Sequence, residues 1–163
     1  MKSVQTSDPT PADTADLGDL GRRVGYLVKQ AQSALRAQMD RALRPLELTV
    51  PQYSCLELLH QNPGLTNADL ARASFVSAQS MNTVLAGLGE RGLVRRPAQA
   101  EGGRRLPAEL TATGRALVEK ADQRVRRIEE RMLGPLGAQG AEMVVADLAR
   151  LVEALEVGDD AVE

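Results

Sequence analysis

The sequence predicts a mainly α fold with one small β-hairpin, and three observations carry that prediction. Apolar residues recur at helical spacing through most of the chain between Leu17 and Leu155. Thr49, Thr66, Ser77 and Thr111, residue types that suit helix N-termini, each stand just ahead of such a run. Two short runs, Leu93-Val94 and Leu106 to Leu110, flank a stretch holding Pro97 and Gly102-Gly103, which is a hairpin pattern. Composition agrees: with 43% apolar but only 2% aromatic residues, the core must be built from Leu, Val, Ala and Met, which suits packed helices.

Met1 to Asp16 is polar, contains Pro9 and Pro11, and is expected to be a disordered tail over 1–16. Leu17 to Leu46 reads as one long amphipathic helix, with Leu20, Val24, Leu27, Ala31, Leu35, Met39, Ala42 and Leu46 on one stripe. That stripe is longer than a small domain can cover, so part of it is expected to form a subunit interface. Thr49-Val50-Pro51-Gln52 opens the next helix, with Thr as cap, Pro tolerated in the first turn and Gln at the capping-box position. Tyr53, Cys55, Leu56 and Leu59 give it an inner face, and Asn62-Pro63-Gly64 ends it.

Leu65 to Leu110 organises the rest. Thr66 and Asp69 form a second capping box, and Leu70 and Ala73 share a face of a short helix. After a tight turn Ser77 caps a further helix with Met81, Val84, Leu85 and Leu88 inward and Gly92 as its stop. Gln79, Ser80, Asn82 and Thr83 lie on the opposite face as short, neutral hydrogen-bonders, which is what a reader of major-groove base edges needs. Arg95, Arg96, Arg104 and Arg105 fall on the hairpin that follows, where arginines suit phosphates and the narrow minor groove. A helix-turn-helix followed by a basic hairpin wing is a winged helix-turn-helix. Thr111 or Thr113 then caps a helix to about Leu133, striped by Leu117, Val118, Ala121, Val125, Ile128 and Met132. Gly134-Pro135 breaks it, and a last helix runs from about Ala138 to Leu155.

Net charge is −2, so the molecule is not a polycation, but the charge is uneven. From Leu70 to Ala108 six arginines stand against Glu90 and Glu101, a local excess of four positive charges, which fits double-stranded DNA as a partner. There is one cysteine and one histidine, so neither an intrachain disulfide nor a Cys/His zinc cluster is available, and no cofactor is implied. No signal-type or membrane-length apolar run occurs, and a cytoplasmic protein is expected.

The arrangement resembles the MarR family of bacterial transcriptional regulators. The matching residues are Leu48-Thr49 with Gln52 and Leu56, Leu65-Thr66 with Leu70-Ala71, Leu88 through Gly92-Leu93-Val94 to Arg96, and Leu110-Thr111 with Gly114. The resemblance implies a homodimer joined through its N- and C-terminal helices, seated on pseudo-palindromic DNA, with repression relieved by a small-molecule effector or by oxidation. It divides the chain into a tail (1–16), an N-terminal dimerisation helix (17–47), a winged helix-turn-helix DNA-binding domain (48–117) and C-terminal dimerisation helices (118–163). The DNA-binding candidates are Thr66, Asn67, Ser77, Gln79, Ser80, Asn82, Thr83, Arg95, Arg96, Arg104 and Arg105. One departure stands out: the family's wing has Asp-x-Arg before the Leu-Thr join, and here Gly102 holds the Asp position while Arg104 keeps the Arg.

Tyr26, Tyr53 and Phe75 are candidates for an effector pocket near the interface, or plain core residues. Cys55 is a redox sensor or a core thiol. It lies in an apolar stripe of the second helix, whereas the oxidation-sensing relatives place their cysteine early in the first. His60 lacks a second histidine for a metal site. No Gly-rich phosphate loop, acid–base pair or nucleophile with a partner histidine is present, so an enzyme is not expected. The alternative is a helical scaffold protein that kept the winged fold without binding DNA, in which the arginine window would be idle.

Overall fold

The computed structural model describes residues 18–95 and 107–156, in two compact units that divide between Leu35 and Arg36. The first unit holds a 3-10 turn, Gly18–Arg22, and the opening of helix α1, Val24–Leu43. The single helix expected over 17–46 is therefore three pieces, since a second 3-10 turn spans Arg44–Leu46. Gly18 and Gly21 favour the helix poorly, and Pro45 has no N–H with which to continue α1. In this first unit Leu20, Val24, Leu27 and Val28 are all between 43% and 60% exposed.

The second unit contains α2 (Val50–Gln61), α3 (Asn67–Ala73), α4 (Ala78–Glu90), α5 (Ala112–Leu133) and α6 (Gly137–Glu156). Between α4 and α5 sits the base of an antiparallel hairpin, β1 (Val94–Arg95) and β2 (Glu109–Leu110), with Val94 opposite Leu110 and Arg95 opposite Glu109. The second strand is shorter than the run from Leu106 suggested. Pro107 lies ahead of β2 rather than within it, because proline has no N–H for the ladder.

Helix α2 is central and touches α3, α4, α5 and β2. Its Tyr53, Cys55, Leu56 and Leu59 are buried against Met81, Leu85 and Leu88 of α4 and Val118, Ala121 and Val125 of α5, and Leu43 at the end of α1 joins the same core. On α3 the inward pair is Leu70 and Ala71, while Ala73 is exposed. That helix has only seven residues, and Val76, which follows the turn, packs on the core at that end instead.

Local chemistry sets the joins. Thr49 with Gln52 and Thr66 with Asp69 both close as full capping boxes. Ser77 accepts from the Ser80 amide at 3.1 Å, and Thr111 from the Gly114 amide at 3.0 Å. The Thr111 hydroxyl also donates to the Gly92 carbonyl at 2.7 Å, tying α5 to the end of α4. Gly114 has to be glycine: a Cβ there would lie 2.0 Å from the Leu93 carbonyl oxygen.

The last helix differs from all these. No residue of α6 is buried, and Met143, Val145, Leu148, Leu151, Val152 and Leu155 are between 45% and 80% exposed. Among the described residues no helix is long and apolar enough to cross a membrane.

Candidate nucleic-acid interface

The exposed edge formed by α3 and α4 is braced from within. Thr66 donates to Asp69 through its hydroxyl at 2.6 Å and its amide at 3.1 Å. Those bonds, with Arg72 adding, hold the Asp69 carboxyl below the usual carboxylate range. Asn67 donates from Nδ2 to the Ala78 carbonyl at 3.4 Å, which links the start of α3 to the first turn of α4. Thr66 and Asn67 are thus engaged in building the pair. Ser77 and Ser80 share a hydroxyl–hydroxyl bond of 2.9 Å, and Thr83 donates back to the Gln79 carbonyl at 3.3 Å. Gln79 is exposed and Asn82 half-buried on the same helix. These two amides have the donor–acceptor pairs that match the adenine edge in the major groove. On this polar face the hydroxyls of Ser77, Ser80 and Thr83 bond within the helix, while Gln79 and Asn82 carry amides.

The arginines show what charge counting over a window leaves out. Arg95 lies directly across the hairpin from Glu109 and donates to its Oε2 from Nε at 2.9 Å and from a terminal nitrogen at 2.6 Å. Arg72 pairs with Asp69 at 3.4 Å. Asp69 and Glu109 stand one residue outside the two ends of the arginine-rich stretch Leu70 to Ala108, so the excess of positive charge there is offset by acids just beyond it. Counting the hairpin back from Thr111 would have placed Glu109 opposite Arg95. Arg91 is a structural clamp, donating to the Glu47 carbonyl at 2.6 Å and to Leu46 at 3.4 Å, where Glu47 adopts a left-handed φ of 53°. Arg96, Arg104 and Arg105 lie outside the described residues, as do Gly102 and the tail 1–16.

The three aromatic candidates occupy different settings. Tyr53 is buried, and its hydroxyl donates to Asp122 Oδ1 at 3.4 Å. Burial raises its pKa far above the usual phenol value, and the carboxylates of Glu57, Asp122 and Glu129 add to the rise. Tyr26 is half-buried in the first unit. Phe75 is 94% exposed, because it stands in the turn between α3 and α4 with φ of 55°. A polar cleft of about 620 Å³ opens between α2 and α5, lined by Glu57, His60, Glu119, Asp122 and Arg126 among others. Within it Arg126 pairs with Asp122 at 2.6 Å, while Glu57 Oε2 and His60 Nδ1 are buried without hydrogen-bond partners. Among the described residues no group of three metal-ligating side chains is placed to hold an ion. Cys55 is fully buried in the core, so oxidants have no direct approach to it.

Known proteins share this arrangement. A model of the MarR family matches residues 46–105. The HTH-type transcriptional repressor Rv2887 of Mycobacterium tuberculosis is 48% identical over 115 residues, which are 71% of this chain and 83% of that protein. The crystal structure of the M. tuberculosis MarR family protein Rv2887 in complex with DNA superposes with a TM-score of 0.66 at 40% identity, covering 79% of this chain and 97% of that one. Its complex with salicylic acid gives a TM-score of 0.63 at 44% identity, over 82% of this chain and 96% of that one. With nearly half its residues shared over most of that repressor's length, this chain belongs to the MarR family of winged helix-turn-helix transcriptional regulators.

Proposed function

We propose that the protein is a homodimeric repressor that binds pseudo-palindromic double-stranded DNA in the cytoplasm and releases it when a small aromatic or amphipathic ligand binds. The observation that carries the reading is α4: its first two turns present Gln79 and Asn82, while capping and hydroxyl bonds fix their backbone before DNA arrives. Preorganised amides suit base readout, because little ordering remains to oppose binding. The DNA complex of Rv2887 supports it. Two apolar faces support the dimer, Leu20, Val24 and Leu27 in the first unit and Leu148, Leu151 and Leu155 on α6 in the second; all stay exposed in the single chain. Monomers seldom leave so much apolar surface in water.

The release step rests on the salicylic acid complex of Rv2887 and on the cleft between α2 and α5. A ligand that fits one spacing of these helices and not another would shift the dimer away from the spacing that DNA needs. Tyr53 and the segment Leu46 to Tyr53, all in the second unit, are the proposed surroundings; Phe75, 94% exposed, is not among them.

A gel-shift assay with the region upstream of the protein's own gene tests the reading, with salicylic acid as the first effector probe. Sequence-selective binding that salicylic acid weakens is the expected result. Asn82→Ala should cost about 1–3 kcal/mol of discrimination at one position of each half-site. Absence of binding to any DNA would favour the scaffold alternative. The in-chain pairing of Arg72 and Arg95 also favours that alternative, because it leaves the positive charge of the wing to Arg96, Arg104 and Arg105. A salt titration of Arg104→Ala discriminates, since each lost phosphate contact lowers the slope of log affinity on log salt by about 0.9.

A further inference from the structure

The second unit ends two helices with the same device, and the left-handed position is glycine in one and phenylalanine in the other. Where α4 stops, Gly92 donates to the Gly89 carbonyl at 2.9 Å and Leu93 to Leu88 at 3.0 Å. Where α3 stops, Phe75 donates to the Arg72 carbonyl at 3.1 Å and Val76 to Ala71 at 3.0 Å. Both are Schellman turns, and in both the residue just past the cap is left-handed, with φ of 66° at Gly92 and 55° at Phe75. Glycine suits that position because it has no Cβ to meet the following carbonyl. Phenylalanine does not suit it, and Phe75 gains nothing from the fold in return: it is 94% exposed, whereas Val76 beside it packs on the core. Backbone preference and solvation thus both favour another residue. Such a local conflict marks a position with a task outside the folding of its own chain.

Its place says what that task is. Phe75 precedes by two residues Ser77, the cap of α4, so its Cα lies within about 7 Å of the end of the helix that presents Gln79 and Asn82. The exposed apolar groups at the start of α4 are small, single methyls on Ala78 and Thr83, and Phe75 adds the one large apolar surface beside them. The thymine 5-methyl is the one apolar mark in the major-groove code, and phenylalanine is among the side chains that take it. We propose that Phe75 is a specificity residue, its ring packing on a thymine methyl in each half-site beside the adenines read by the amides. The contact rests on the DNA-binding reading above. The Schellman turn holds the ring outward, so no rearrangement is needed to make the contact.

The test pairs the full-length wild type and Phe75→Gly with operator duplexes in which each thymine in turn is replaced by deoxyuridine, symmetrically in both half-sites. A buried methyl is worth about fourfold in affinity per half-site. The wild type should lose about 15-fold at one symmetric position. Phe75→Gly should bind the unmodified operator more weakly and show no loss at that position. Without DNA, Phe75→Gly should melt at a higher temperature, which also shows that it folds. Identical deoxyuridine profiles for the two proteins, or equal affinity of both for the unmodified operator, would overturn the proposal and leave the DNA-binding reading standing. A wild type that binds no duplex would overturn both. If dimerisation weakens in Phe75→Gly while its deoxyuridine profile stays that of the wild type, the ring faces a second copy and the DNA contact is wrong.

Discussion

Helices α4 and α6 have similar sequence patterns and opposite fates. Both carry an apolar stripe at helical spacing. Of the thirteen residues of α4, Met81, Leu85 and Leu88 are buried; of the twenty residues of α6, none is. The difference lies in what surrounds them. Helix α4 is flanked in sequence by capped turns that fold it back onto α2, and its stripe meets Leu56 and Leu70 inside one chain. Helix α6 follows Gly134–Leu136 and, among the described residues, packs chiefly on that turn and α5. An apolar stripe therefore states that a helix needs a partner and leaves open whether its own chain supplies one.

The hold on α4 is strongest at Leu88, which is fully buried. Leu88→Ala should remove about 2–5 kcal/mol of stability, read by denaturant unfolding. A loss below 1 kcal/mol would mean that α4 is as loosely held as α6. Next is the join that closes the α4 region. Gly114→Ala sets a methyl against the Leu93 carbonyl, a backbone group with little room to move, and should cost about 1–3 kcal/mol. The matching change on α6, Leu151→Asp, should leave the unfolding of the α2–α5 core nearly unaltered and halve the mass seen by light scattering. A wild type that already scatters as a monomer would end the proposal that a second copy covers α6.

The smallest effect concerns Tyr53, deep in the α2–α5 contact. Its folded pKa is raised, by burial first and by Glu57 and Asp122 next. The phenol then favours the folded state below its unfolded value of about 10, and that contribution is lost as pH rises above 10 toward the folded value. Stability of the wild type should therefore fall in strong alkali. Tyr53→Phe should flatten that fall while giving up the 3.4 Å bond to Asp122 at neutral pH.

Sequence alone determined the parts of this protein that depend on neighbours along the chain. Capping at Thr49, Thr66 and Ser77, the stop at Gly92 and the inner faces of α2 and α4 need only a few consecutive residues, and were readable because the bonds and contacts involved lie close along the chain, whereas the choice of Thr111 over Thr113 as the cap of α5 came from the structure. The family also followed from such short patterns in order. Tertiary structure decided whatever depends on distance across the fold. It set Glu109 against Arg95 and Arg91 against the Glu47 carbonyl, contacts fixed by strand register and by the return of a turn some forty residues away. It turned Ala71 rather than Ala73 inward, since Val76 packs at that end of α3, and it put Phe75 in water. Aromatic character suggests burial, but the left-handed turn after α3 points that ring away from the core, and only the path of the backbone through the turn could show it.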